Sequence, residues 1–254
     1  MRHVATLLKR ELAAYFLSPM AYLILVAIQV LAWLNFYQFV FLLSLPQRTF
    51  SVLSNPMNTY VAGSTPFWVA FLVAVPALTM RLVAEERRSG TIETLLTVPV
   101  TETQVTVSKW LAALVMYVVL LVPFALYLPF LYYVGKYNFD VRPQVALGIG
   151  LTTLGMMFTA IGLFFSALSR NQIVAAIWTF VVMFLLIVLT GLAYQDAVLR
   201  HTGWDDALQF LSVLFQVDRF VAGQLDLRFL ALHASVTVFM LYLTVKILEA
   251  REFK

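Results

Sequence analysis

The sequence predicts an all-α integral membrane protein with six transmembrane helices, and three observations predict it. The 254 residues are 62% hydrophobic, with a mean hydropathy of +0.88. Only 12% are charged, against about 25% in a soluble domain. Six stretches carry no Asp, Glu, Lys or Arg: 12–47, 49–80, 110–135, 143–169, 171–195 and 229–245. A helix needs roughly 20 apolar residues to cross about 30 Å of hydrocarbon, so each stretch supplies one span. The predicted membrane cores are 20–43, 66–83, 110–134, 144–168, 174–194 and 229–246. The sixth is the shortest, with Arg228 and Lys246 placed to snorkel at its ends.

Six spans put both termini on one side, which lets the Lys/Arg bias orient the chain. Arg2, Lys9, Arg10, Arg81, Arg87, Arg88, Lys109, Arg170, Lys246, Arg251 and Lys254 fall on that side. Arg48, Lys136, Arg142, Arg200, Arg219 and Arg228 fall on the other. The richer side is expected to be cytoplasmic, in a bacterial inner membrane. The net charge of +4 is then topological information and implies no nucleic acid partner. There is no cysteine, so no disulfide and no thiolate metal site. The apolar stretch after the N-terminus is too long for a cleavable signal. Trp68, Trp110 and Trp178 lie near predicted span ends, as in an interfacial belt.

Residues 1–18 precede the first span. Val4, Leu7, Leu8, Leu12, Tyr15 and Phe16 recur at helical spacing, with Arg2, Thr6, Lys9 and Arg10 mostly elsewhere. A basic amphipathic helix of this kind lies in the interface plane against membrane lipid. Ser18-Pro19 ends it, because the residue before a proline resists helical geometry. In the first span Gln29, Asn35 and Gln38 are polar and need partners in hydrocarbon. They are candidates for a pathway or a dimer seam, against ordinary interhelical bonding. Pro76, Pro123 and Pro129 are expected to kink the second and third spans.

The second span runs out of the membrane into the most polar part of the chain. Ser89-Gly90 can stop that helix with glycine at its C-terminal cap. Thr91 reads as an N-cap, with Glu93 in the first turn and Ile92, Leu95 and Leu96 on one apolar side. Val98-Pro99 breaks this short helix, and Thr101-x-x-Gln104 is a capping box that launches the next one. From the residues alone, this is a solvated cytoplasmic loop or a docking element.

In the fourth span Gly148, Thr152, Gly155, Thr159, Gly162 and Ser166 step by four and three, tracing a stripe of small residues. Small residues let helix backbones approach closely in lipid. Static packing is the plain expectation, and a sliding seam is the alternative. Residues 196–228 are long for a turn. Trp204, Leu208, Leu211 and Phe215 share a face there, which reads as one or two outer helices on or in the leaflet. His201 and Asp205 are one turn apart, but two ligands do not make a metal site.

The run from Glu85 to Val100, Glu-Glu-Arg-Arg-Ser-Gly-Thr-Ile-Glu-Thr-Leu-Leu-Thr-Val-Pro-Val, sits after the second of six spans. It resembles type 2 ABC transporter permeases, closest to the gliding-motility and nitrous-oxide-reductase-maturation types. The stretch Phe215 to Arg228 before the last span and the N-terminal helix share the resemblance. It covers most of the chain and implies a single permease domain over 1–254. Residues 84–108 would be a cytoplasmic coupling region and 196–228 an outer helical segment closing an exit path, with Trp204, Leu208, Leu211 and Phe215 as an outer gate. The resemblance places Glu85, Glu86, Arg87, Arg88, Gly90, Thr91, Glu93 and Leu95 where the coupling helix meets a cytosolic ABC ATPase subunit. It also implies a second permease, a copy or a paralogue, and leaves room for an extracytoplasmic partner protein.

No G-x-x-x-x-G-K-[ST] loop is present to cradle phosphates. No cofactor is therefore expected in this chain, and ATP with Mg would belong to the partner ATPase. No predicted span core carries Asp or Glu, which counts against an ion-coupled carrier. The motifs of an intramembrane protease are missing. The sequence thus predicts a non-catalytic permease subunit of an ATP-driven exporter or extruder. The alternative is an ABC-like scaffold that passes force or signal outward without moving cargo.

Overall fold

In hydrocarbon a chain must satisfy its own backbone N–H and C=O groups, which makes the helix the solution for an open chain. The computed structural model describes residues 2–45, 56–90, 101–135, 141–195 and 205–252, and every regular element among them is helical. The helices are α1 (Arg2–Leu17), α2 (Pro19–Ser44), α3 (Thr65–Thr79), α4 (Ala84–Ser89), α5 (Glu102–Gly135) and α6 (Val141–Leu168). They continue with α7 (Gln172–Gln195), α8 (Asp205–Leu211), α9 (Val213–Val221) and α10 (Leu227–Glu252). A π-helical turn, Asn58–Ala62, precedes α3. Six helices are long and apolar enough to cross a membrane: α2, α3 running on into α4, α5, α6, α7 and α10.

Local chemistry sets most of the boundaries. Ser18 takes an extended conformation before Pro19 (φ −87, ψ 123), so α1 and α2 meet at a corner. Ser64 caps α3 by accepting from Phe67 N, and Thr101 Oγ1 accepts from Gln104 N at 3.3 Å to start α5. That cap begins α5 eight residues ahead of the predicted core at 110. Pro76, Pro123 and Pro129 lie inside α3 and α5, which run on through them.

α6 is the centre of the bundle. It touches α3, α4, α5, α7, α9 and α10, and it is the most enclosed span, with 67% of its apolar window buried. α2, α7 and α10 are 22% buried and present apolar side chains outward. Lipid tails are as apolar as leucine, so burying apolar surface does not draw these helices together. What selects α6 for the centre is small side chains. A Cβ on Gly155 would stand 2.0 Å from the Tyr117 ring, one on Gly162 2.2 Å from Thr79 Oγ1, and one on Gly150 2.2 Å from the Phe220 ring. α5, α3 and α9 reach the α6 backbone at these three points.

Tyr117 cannot step aside, because its ring is buried and its hydroxyl donates to the Leu151 carbonyl at 3.0 Å. Gly155→Ala should therefore destabilise by about 1–3 kcal/mol of overpacking, outweighing a helix-propensity gain of about 1 kcal/mol. A Cβ on Gly148 would meet nothing within 4 Å, so Gly148→Ala should gain the propensity term alone. Thermal unfolding midpoints in one detergent should move in opposite directions for the two variants. A shared direction would remove the close approach at Gly155 as a source of stability.

Candidate functional site

α1 presents Val4, Leu7, Leu8, Leu12 and Tyr15 to the bundle, and Glu11 lies on the same half-buried face. Glu11 meets Lys109, in the second turn of α5, with Lys109 Nζ 3.1 Å from Glu11 Oε1. The same ammonium lies 2.8 Å from Glu86 Oε1 on α4, and Arg10 Nη2 reaches both carboxylates at 3.3 Å. The Lys109 side chain is 2% exposed, those of Glu11 and Glu86 11% and 19%. A buried ammonium is costly unless paired and hydrogen-bonded, and here two carboxylates answer it. The pairing ties α1, α4 and α5 into one unit.

Next to it, Tyr15 donates its hydroxyl to the Leu78 carbonyl at 2.6 Å. Burial pushes this phenol above its ordinary pKa, so it stays a neutral donor. Arg81 holds Glu85 through two bonds of 2.7 and 2.9 Å and donates to Ser18 Oγ at 2.8 Å. Between α3 and α4 the helix breaks, and Ser166 repairs the break. Its Oγ accepts from Val83 N and Ala84 N at 3.1 and 3.2 Å and donates to the Met80 carbonyl at 3.1 Å. Three backbone groups at the end of the second span are thus satisfied from α6. A cavity of about 330 Å³ lies under this region, with Tyr15, Ala21, Ile24 and Ala77 as its apolar wall and Arg81 and Glu85 at its charged side.

Of the residues expected to meet an ATPase, Glu85 and Glu86 turn into these intramolecular pairs. Arg87 is half-buried, and Arg88 and Ser89 are exposed. Gly90 closes α4 with φ +73, the left-handed conformation that favours glycine. Thr91, Glu93 and Leu95 lie outside the described residues. The sequence offered Lys109 only as a topological charge and passed over Glu11. The available signal was one acid on the otherwise apolar face of a basic helix.

The stripe on α6 divides. Gly155, Thr159, Gly162 and Ser166 are buried, whereas Gly148 is exposed and Thr152 is half-buried with its hydroxyl on the Gly148 carbonyl. On α2, Asn35 is buried, donates to the Tyr60 carbonyl at 3.1 Å and accepts from Ser64 Oγ, which places it inside the protomer. Gln29 donates to Tyr127 Oη at 2.7 Å, and Gln38 is exposed.

At the opposite end α8 and α9 form a hairpin against α6, α7 and α10. Ser212 accepts from Phe215 N as the cap of α9 and separates it from α8. Leu211, half exposed, and Phe215, half-buried, therefore fall on successive helices. Trp204 lies outside the described residues, and of Leu208 only the helical backbone is described. The hairpin is fastened by His233, which no motif in the sequence singles out. His233 on α10 is buried, with Nε2 2.9 Å from Gln216 Oε1 and Nδ1 3.1 Å from Thr153 Oγ1. The Gln216 amide donates to the Phe210 carbonyl at 2.8 Å, which fixes its oxygen toward the ring. Nε2 then donates to Gln216, and the one Thr153 hydroxyl hydrogen is shared between Nδ1 and the Gly150 carbonyl, which lies 2.9 Å from the same oxygen. Among the described residues no group of three or more His, Asp or Glu could hold a metal ion.

Lys109→Met leaves two carboxylates facing each other and should cost about 3–5 kcal/mol. Adding Glu11→Gln and Glu86→Gln should recover most of that loss, measured as unfolding midpoint and monodisperse yield. A triple variant no better than Lys109→Met would mean that charge pairing is not what Lys109 supplies. Gln216→Leu leaves the His233 N–H without its acceptor at about 1–3 kcal/mol. Amide exchange should then rise across α9 and not in α3, and equal exchange in both would remove the latch.

No curated protein matches the sequence. Residues 6–246, spanning all six membrane-crossing helices and the charged junction, match the family described as ABC-2 family transporter protein. The chain belongs to that family, whose members are the non-catalytic membrane subunits of ABC transporters.

Proposed function

We propose that this chain is the permease half of an ATP-driven exporter, closest to the gliding-motility and nitrous-oxide-reductase-maturation permeases, and that residues 84–108 are its coupling region. Two cytosolic ABC ATPase subunits would bind there and hydrolyse ATP with Mg, and a second permease, a copy or a paralogue, would complete the complex. Both termini would face the cytoplasm of a bacterial cell whose inner membrane the protein spans.

One observation carries this reading: a buried lysine bridges the two ends of the coupling region. Glu86 stands near the start of that segment and Lys109 just past its far end, 2.8 Å apart, with Glu11 joining them from α1. A push on the segment from an ATPase would be delivered to α1, α3 and α5 as one body. Ser166 would carry it to α6, because that hydroxyl bonds the backbone at the α3–α4 break. The cavity beside Arg81 gives the moving unit room. Packed interfaces switch between discrete arrangements and do not deform continuously, so a rigid junction suits such a stroke.

The test is co-purification with the cognate ATPase in mild detergent, followed by ATP turnover of the complex in liposomes. The ATPase should bind wild type and be lost from Leu95→Asp. Glu11→Gln should keep the ATPase bound but lower permease-dependent turnover by about tenfold, a rise of about 1.4 kcal/mol in the activation barrier. Equal binding by wild type and Leu95→Asp would remove residues 84–108 as the docking site.

A further inference from the structure

At the end of the bundle away from Lys109, a cleft of about 480 Å³ opens between the hairpin and the first turn of α10. Its size falls within the roughly 300–1,000 Å³ typical of small-molecule sites. One wall is aromatic. Phe229 is buried at its base, with the Phe210 ring 5.5 Å and the Phe215 ring 6.2 Å from it, centroid to centroid. The other side is cationic. Arg219 and Arg228 both line the cleft, together with the carboxylate of Asp226.

The two arginines are held differently. Arg219 lies over the Phe215 ring at 4.9 Å and donates from Nη1 to Gln224 Oε1 at 2.9 Å. Both contacts are neutral, and among the described residues no carboxylate is within ion-pair distance of it. Its guanidinium is thus fixed in place without its charge being cancelled. Arg228 leans on Asp226 at 3.4 Å through Nε, and its side chain is 81% exposed. Asp226 is also engaged as the cap of α10, accepting from Arg228 N at 2.9 Å. Among the described residues the lining therefore carries a net charge of one positive unit, from two arginines and one aspartate. A planar guanidinium on an aromatic ring, with N–H donors free of a carboxylate, is built to take a carboxylate or phosphate.

We propose that this outer cleft binds an anionic amphiphile, with a carboxylate or phosphate on Arg219 and Arg228 and an apolar body on Phe210, Phe215 and Phe229. The site is built from α8, α9 and the start of α10 alone, so its binding can be tested without the ATPase. The same head-and-tail chemistry is offered by an anionic lipid of the outer leaflet and by a fatty acid arriving from water.

The experiment uses the full chain in phosphatidylcholine nanodiscs with radiolabelled dodecanoate as the probe. Binding should saturate, weaken about tenfold in Arg219→Gln, weaken further in Arg219→Gln/Arg228→Gln, and be intermediate in Arg219→Lys. Arg170→Gln, which removes a cation from the far end of the bundle, should bind as wild type does. Competition by phosphatidylglycerol placed in the discs would identify the bilayer as the source. Dodecanoate binding that phosphatidylglycerol does not displace would identify a ligand from water, and either result keeps the site. The proposal is overturned by a double variant that binds like wild type, or by an equal loss in Arg170→Gln. Equal competition by dodecyltrimethylammonium would overturn its charge, and displacement by inorganic phosphate at matched concentration would overturn its apolar half.

Discussion

A lysine ammonium buried to 2% exposure between two carboxylates is the constraint around which one end of this protein, where α1, α4 and α5 meet, is arranged. Removed from water, the ammonium cannot be satisfied by any one of the three segments alone. Glu11 comes from a helix outside the membrane-crossing set, Glu86 from the end of the second span, and Lys109 from the start of the third. Each pair closes a long stretch of sequence. The ion pairs need not add much net stability, since desolvation offsets most of the Coulomb gain. What they add is position, because any arrangement that separates the three leaves a charge stranded in a low-dielectric setting.

The same logic repeats without charge along α6. Its small residues admit Tyr117, Thr79 and Phe220 to the backbone, and its hydroxyls bind neighbours where water is missing. Ser166 serves three backbone groups near the Lys109 junction, and Thr153 serves His233 toward the hairpin. About four turns of helix therefore separate two polar fastenings, and between them the contacts are close van der Waals packing with one further bond, from the Trp110 indole to the Met156 carbonyl at 3.2 Å. A helix held in this way moves with its partners as a block.

Much of the architecture was legible because membrane helices announce themselves by length and by lack of charge. The corner at Ser18-Pro19, the left-handed glycine at position 90 and the cap at Thr101 follow from local chemistry, and the sequence carries local chemistry in full. The burial of Lys109 did not follow. A lysine near the start of an apolar helix reads as an interfacial cation, and only the return of α1 across α5 supplies Glu11. His233 escaped for a related reason, since its partners Gln216 and Thr153 are 17 and 80 residues away. Asn35 was visible as a polar residue in a span, yet its choice of Ser64 and the Tyr60 carbonyl depends on the π-helical turn, which no periodicity indicates. The sequence left open whether Leu211 and Phe215 share one helix or two, and the Ser212 cap divides them between two.

The two ends of the molecule differ in how their cations are used. At the α1 end Lys109 and Arg81 are matched by Glu11, Glu86 and Glu85, so the charges are spent on holding helices together. At the hairpin end Arg219 is positioned by a ring and an amide, and among the described residues no carboxylate neutralises it. The first end is stiffened by internal pairing, and the second keeps a charge available at its surface. The element between them is α6, fastened at Ser166 to the break below the second span and at Thr153 to the histidine that holds the outer hairpin. A displacement of the Lys109 junction would thus reach the hairpin through one helix, by contacts that are each identified and each removable by a single substitution.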